Sequence, residues 1–228
     1  QNLYVSKKGV LQRIFNFDTT GNDCFDIMIT NSHDYNEKVK LTCIKNPASD
    51  EPILQQILTD GCHGAAVADL NSDGYDDLVI VSKNNGHISD LPAFVYYGGP
   101  EGFTENHKIN LAAPGCYGVA CGDFNGDGLC DIALMIKGGK LRVYTQQTEG
   151  FFRNSFVDLS IELIQITADD LDGDGYADLY CRVKDGTWII LWGGPDGFDP
   201  ERKTVVGPAT DDAIFIAAIV YLILRYFN

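Results

Sequence analysis

The chain has 228 residues, 45% of them hydrophobic, and a formal net charge of −15. That length and apolar content suit one large folded domain and exclude a disordered chain. Strong acidity without a basic run argues against nucleic acid or anionic lipid as a partner.

In chain order, Leu3 to Leu11 read as the last two strands of a four-stranded unit with no first two before them. Residues 13 to 60 read as a worn copy of a unit that becomes clear further on. Arg13 to Phe17 is its first strand. Asp18, Thr20, Asn22 and Asp26 follow at positions one, three, five and nine of a loop whose position six is Asp23 instead of glycine. A tight turn prefers glycine there, so this is a weak fourth cation site at best. Residues 34 to 56 lack a compact turn signal and are expected to carry a long surface loop.

From residue 60 the pattern sharpens. Asp69-Leu70-Asn71-Ser72-Asp73-Gly74-Tyr75-Asp76-Asp77 returns as Asp123-Phe124-Asn125-Gly126-Asp127-Gly128-Leu129-Cys130-Asp131, and again as Asp170-Leu171-Asp172-Gly173-Asp174-Gly175-Tyr176-Ala177-Asp178. Each copy offers side-chain oxygens at positions one, three, five and nine and a glycine at six. Hard cations such as Ca²⁺ take six to eight oxygens from carboxylates, amides and carbonyls. A sharp turn at the glycine lets alternate residues converge on one ion. Asp, Asn and Gly also build ordinary turns, but three matching copies favour the cation.

An EF-hand shares the first six positions, yet needs Glu at position twelve and a helix on each side. Position twelve here is Ile80, Leu134 or Cys181. The flanks, such as Ala65 to Ala68 before and Leu78 to Val81 after, are short apolar runs that read as buried strands. Each loop therefore joins two strands.

A second marker follows each loop: Phe94 to Tyr97 before Gly98-Gly99-Pro100-Glu101-Gly102-Phe103, then Leu141 to Tyr144 with Gly150-Phe151, then Ile189 to Trp192 before Gly193-Gly194-Pro195-Asp196-Gly197-Phe198. A polar fourth strand comes next, as at Thr104 to Leu111 and Lys203 to Val206. Four strands in roughly 50 residues is the size of a propeller blade. The expected fold is all-β, a propeller of four-stranded antiparallel blades. The count is about five if the N-terminal strands complete the last blade, or the chain is a fragment of a larger ring. The propeller spans 1–212.

A hydrophobic segment, 213–228, ends the chain. Ala213 to Phe227 reads either as closing-blade strands or as a membrane anchor. As a helix it would rise about 22 Å, short of the roughly 30 Å hydrocarbon core, which favours strands. Asp211 and Asp212 before it and Arg225 near its end suit an anchor.

Seven cysteines leave at least one unpaired. Cys62 and Cys116 occupy equivalent places before their loops, where a disulfide is conceivable. Cys121, Cys130 and Cys181 read as small core residues. His33, His63, His87 and His107 are scattered and read as surface or loop residues. No nucleophile elbow, His-Glu-x-x-His or phosphate loop is present. Tyr97, Trp188 and Trp192 could stack on sugars, but packing between strands is the simpler role.

These loops and Gly-Gly-Pro-x-Gly-Phe turns resemble the FG-GAP (VCBS-like) repeat, found in integrin α-subunit heads and many secreted microbial proteins. The resemblance is strong over 60–206 and weak over 1–59. It implies Ca²⁺ at three sites: Asp69, Asn71, Asp73 and Asp77 with the Tyr75 carbonyl; Asp123, Asn125, Asp127 and Asp131 with the Leu129 carbonyl; Asp170, Asp172, Asp174 and Asp178 with the Tyr176 carbonyl. It also implies a non-enzymatic, extracellular or cell-surface adhesion module with a protein or glycan partner. Alternative expectations are a propeller of a polysaccharide-degrading enzyme, or a membrane-tethered structural subunit.

Overall fold

The computed structural model describes residues 2–5, 11–17, 26–32, 39–45, 47–85, 87–151 and 154–208, with side-chain packing at 27–29 and over 40–207. The described residues form four antiparallel sheets. The first holds β1 (Asn2–Val5), β2 (Leu11–Phe17), β3 (Asp26–Ser32), β4 (Val39–Lys45) and β5 (Ile53–Thr59). The second holds β6 (Cys62–Ala68), β7 (Asp77–Ser82), β8 (Ala93–Tyr96) and β9 (Lys108–Leu111). The third holds β10 (Gly118–Gly122), β11 (Asp131–Ile136), β12 (Lys140–Tyr144) and β13 (Val157–Ser160). The fourth holds β14 (Leu163–Asp169), β15 (Asp178–Val183), β16 (Thr187–Leu191) and β17 (Lys203–Pro208). Strands neighbour each other in chain order within every sheet, as in propeller blades.

The apolar runs form strands because both of their faces are covered. In β7 and β11 every residue is buried. Successive side chains point to opposite faces, so one strand feeds two cores. Leu78 and Ile80 pack with Met28, Leu41 and Cys43 of the first sheet. Val79 and Val81 join Ile132, Leu134 and Ile136 of the third. Ala133 and Met135 turn the other way, onto Leu179, Cys181 and Leu191 of the fourth. Each fully buried aliphatic side chain contributes about 1.5–3 kcal/mol. At the rim the pattern changes: β5 leaves Ile53, Leu54 and Leu58 more than half exposed.

Inner strands carry the sheet-to-sheet packing. β3 meets β6, β6 meets β10, and β10 meets β14. These contacts link the first sheet to the second, the second to the third and the third to the fourth, so the described array is open and does not close into a ring.

Three expectations change. β1 pairs with β2, Asn2 opposite Ile14 and Val5 opposite Leu11, so the N-terminal strand extends the first sheet and does not complete a fifth blade. Pairing with the very next strand closes a short loop, which costs less entropy than reaching across the molecule. Within 34–56, expected to carry a long surface loop, β4 and the start of β5 pair in a full ladder from Val39–Thr59 to Lys45–Ile53, joined by a short turn, while 33–38 lie outside the described residues. Cys62 and Cys116 form no disulfide. Each thiol instead donates to the carbonyl two residues on, Cys62 to Gly64 at 3.5 Å and Cys116 to Gly118 at 3.4 Å. Cys121, Cys130 and Cys181 do pack in the cores. The degenerate loop after Phe17 and the segment Ala213 to Phe227 lie outside the described residues. Among the described residues no helix is long and apolar enough to cross a membrane.

One polar group ties the second and third sheets. The Arg142 guanidinium on β12 donates to both Asp158 oxygens, from Nε at 2.7 Å and from Nη2 at 2.8 Å, and to the Ala112 carbonyl at 3.1 Å. It also lies 3.5 Å over the Phe156 ring. Removing one member of such a pair strands the other's charge. Arg142→Ala is expected to cost about 2–4 kcal/mol in urea unfolding. Arg142→Ala combined with Asp158→Ala should cost less than the two single losses added together.

Candidate metal centre

Each acidic loop connects the first and second strands of its sheet: 69–77 between β6 and β7, 123–131 between β10 and β11, and 170–178 between β14 and β15. The strands pair up to the loop mouths, with Ala68 opposite Asp77, Gly122 opposite Asp131 and Asp169 opposite Asp178. The turn needs left-handed backbone at two places. Position six has φ of 87°, 84° and 91° at Gly74, Gly128 and Gly175, the region where glycine carries no Cβ penalty. Position four is also left-handed, at Gly126, Gly173 and, with φ 58°, at Ser72. Sequence reasoning did not anticipate this second requirement.

The side chains divide into two groups. At position one, the carboxylate gathers loop amides: Gly74 N donates to Asp69 at 3.0 Å, Gly128 N to Asp123 at 2.8 Å and Gly175 N to Asp170 at 3.2 Å. At position five, the carboxylate accepts the amide of position seven, from Tyr75 at 2.9 Å, Leu129 at 2.9 Å and Tyr176 at 3.0 Å. These residues converge around a solvent-facing cup.

The third loop has a carboxylate at every one of positions one, three, five and nine. Carboxylate oxygens of Asp170, Asp172 and Asp174 all lie within 4.8 Å of one another. In the first two loops an amide takes the place of Asp172, and Asn71 and Asn125 donate to Asp73 and Asp127 at 2.9 and 3.0 Å. Three carboxylates this close repel, and a divalent ion relieves that repulsion. The donor set, hard oxygens with no thiol or imidazole, fits Ca²⁺ better than zinc.

Position nine behaves differently. Asp77, Asp131 and Asp178 are buried, each at most 1% exposed. In every copy one carboxylate oxygen accepts the amide of position two, from Leu70 at 2.9 Å, Phe124 at 3.1 Å and Leu171 at 2.9 Å. The other accepts an amide just after the third strand, from Gly98 at 2.7 Å, Gln146 at 2.8 Å and Gly193 at 2.8 Å. The predicted fourth ligand is thus also a bracket between two turns. A carboxylate has about four lone-pair sites, so two amides leave room for an ion.

Burial pushes the Asp131 carboxyl up to about 7, the amides of Gln146 and Phe124 pull it down, and Asp127 and Asp123 push it up again. Asp77 is raised to about 6 in the same way, and Asp178 is raised, each chiefly by burial.

The remaining candidates separate. Trp188 is buried and stacked on Tyr180, with ring centroids 4.6 Å apart, so it serves packing. Tyr97 and His107 line an open cleft of about 800 Å³ beside the first acidic loop. A Cβ at Gly98 or Gly193 would run into the backbone oxygen of Asp76 or Ala177.

Two measurements follow. Asp131→Ala is expected to lower the melting temperature even in chelator, because it strands two buried amides at about 1–3 kcal/mol. Asp127→Ala should weaken chiefly the response to added calcium. The second measurement is pH dependence without metal. A carboxyl whose folded value lies above its unfolded value of 3.8 holds a proton that the unfolded chain releases. Its stabilisation is complete below that unfolded value and lost as pH rises through about 6–7. The metal-free protein should therefore melt at a lower temperature at about pH 7.5 than at about pH 5. Added calcium should close the difference.

Residues 69–134 match the family model of the FG-GAP-like repeat, a span that runs from the first acidic loop through the second and into β11. No curated protein matches the chain. The matched stretch carries two of the three loops, and the third repeats their hydrogen bonds on the fourth sheet. Residues 69–134 thus carry an FG-GAP-like repeat.

Proposed function

We propose that the protein is a calcium-stabilised, non-enzymatic binding module that works outside the cell and presents its turns and clefts to a protein or glycan partner. The observation that carries this reading is the Asp170, Asp172, Asp174 cluster, with carboxylate oxygens within 4.8 Å of one another on a loop that two other sheets repeat. Asp170, Asp172, Asp174 and Asp178, with the Tyr176 carbonyl, would hold the third ion. Asp69, Asn71, Asp73 and Asp77 with Tyr75, and Asp123, Asn125, Asp127 and Asp131 with Leu129, would hold the first two.

An ion in such a cup neutralises acid and fixes the hairpin, which is a structural task. Millimolar calcium outside cells suits modular sites of this kind, and FG-GAP repeats are typically extracellular. The adhesive role follows from that family pattern.

Binding that favours the folded state stabilises it by about 2.7 kcal/mol per site at a hundredfold excess over Kd. The melting temperature is expected to fall in EDTA and to recover with calcium in excess, with magnesium a poorer substitute. An unchanged melt across those conditions would remove the calcium reading. Screening on glycan and extracellular-protein arrays, with and without calcium, tests the partner class. Polysaccharide cleavage by the purified chain would overturn the non-enzymatic reading.

A further inference from the structure

The second and fourth sheets are equivalent residue for residue through the turn after their third strands. Tyr97-Gly98-Gly99-Pro100 matches Trp192-Gly193-Gly194-Pro195, Gly102-Phe103 matches Gly197-Phe198, and His107 matches Arg202. The backbone bonds agree. Tyr97 N donates to His107 O at 2.9 Å, and Trp192 N donates to Arg202 O at 3.3 Å. Gly102 N donates to Gly99 O at 2.8 Å, and Gly197 N to Gly194 O at 2.6 Å.

What differs is the side chain over the turn. In the fourth sheet the Arg202 guanidinium lies on Gly194 and donates to the carbonyls of Trp192 at 2.9 Å, of Gly197 at 3.2 Å, and of Gly193. A Cβ on Gly194 would run into that guanidinium, whereas a Cβ on Gly99 would meet nothing within 4 Å. The equivalent carbonyls belong to Tyr97, Gly98 and Gly102, and all three residues line the 800 Å³ cleft. Among the described residues no side chain donates to them. His107 is exposed and leaves the space over the turn open.

The surroundings favour a cation. Glu101 lines the cleft, as do Tyr75 and Tyr97. The cation already there, Lys108, is engaged elsewhere. Its ammonium bonds Glu105 and lies 4.8 Å from the Phe94 ring centre. A guanidinium can place one nitrogen on the three carbonyls, as Arg202 does with Nη2, and keep further N–H donors for an acid.

We propose that this cleft binds the guanidinium group of an arginine on a partner protein, supplying from outside what Arg202 supplies internally in the fourth sheet. The proposal rests on the reading of the chain as a binding module, but not on calcium, so its test and the calcium melt fail separately.

The test uses the full chain, nitrogen-15 labelled and with calcium present. It is titrated with N-acetyl-arginine methylamide, its lysine counterpart, free L-arginine and maltose. The blocked arginine is expected to shift the amides of Tyr97, Gly98, Gly102 and His107 in the millimolar range of a small fragment. The lysine probe should act several-fold more weakly. His107→Arg should abolish the response by filling the cleft from within. Arg202→His should create a second responsive set at Trp192, Gly193 and Gly197. The proposal is overturned if no probe shifts these amides, if the lysine probe matches the arginine one, or if His107→Arg responds unchanged. Maltose acting where arginine does not would assign the cleft to a glycan. A stronger response to free arginine than to the blocked residue would assign it to a small molecule.

Discussion

A buried carboxylate holding two turns together is the interaction on which this architecture depends. Asp77, Asp131 and Asp178 each accept one amide from the acidic loop and one from the turn after the third strand. Those turns are far apart in sequence and would otherwise leave inward-facing amides without partners, a loss of about 1–3 kcal/mol each. Such an arrangement is tolerable because hydrogen bonds to a charged group are stronger than those between neutral groups. Burial nevertheless disfavours the ionised form. The bracket and the neighbouring cup are therefore electrostatically opposed: the same acidic residues that invite a cation raise the proton affinity of the carboxylate behind them.

The acidic loops also reach beyond their own sheets. Ala177 N donates to Asp123 O at 2.7 Å, and Gly194 N to Phe124 O at 3.0 Å, joining the third loop and its turn to the second loop. Gln146 Nε2 donates to the Leu70 carbonyl, joining the third sheet to the first acidic loop. Phe124 sits 4.8 Å from Phe198, ring centre to ring centre. Each of these loops is thereby in register with its neighbour, so ordering one loop orders the contact to the next sheet.

Much of this was legible in the amino-acid sequence, for physical reasons that differ by region. The acidic loops were readable because oxygen-bearing residues and a glycine stand in fixed order and the pattern recurs three times. The strands beside them were readable because both faces are buried, which forces unbroken apolar runs such as Leu78 to Val81. The destination of the N-terminal strand was not readable. Asn2 to Val5 carries a pattern that could serve any sheet edge, and the choice of β2 reflects loop closure, to which residue type is blind. The double duty of position nine was hidden for a different reason. A carboxylate that ligates and one that accepts amides are the same residue in sequence, and only its burial separates the roles. The cleft at His107 was not readable either, because the matching turns differ only in whether the side chain that follows reaches back over them, as Arg202 does and His107 does not.

Hydrogen-bonded ladders in this molecule stop at the border of each sheet, and neighbouring sheets meet only through side chains and a few loop contacts. Inserting or deleting a whole unit therefore breaks no ladder and leaves two apolar faces of similar make-up to meet each other. Gene duplication can lengthen or shorten such an array one module at a time, while a partial module would expose unpaired backbone. Copy number is thus free to drift between descendants in whole steps.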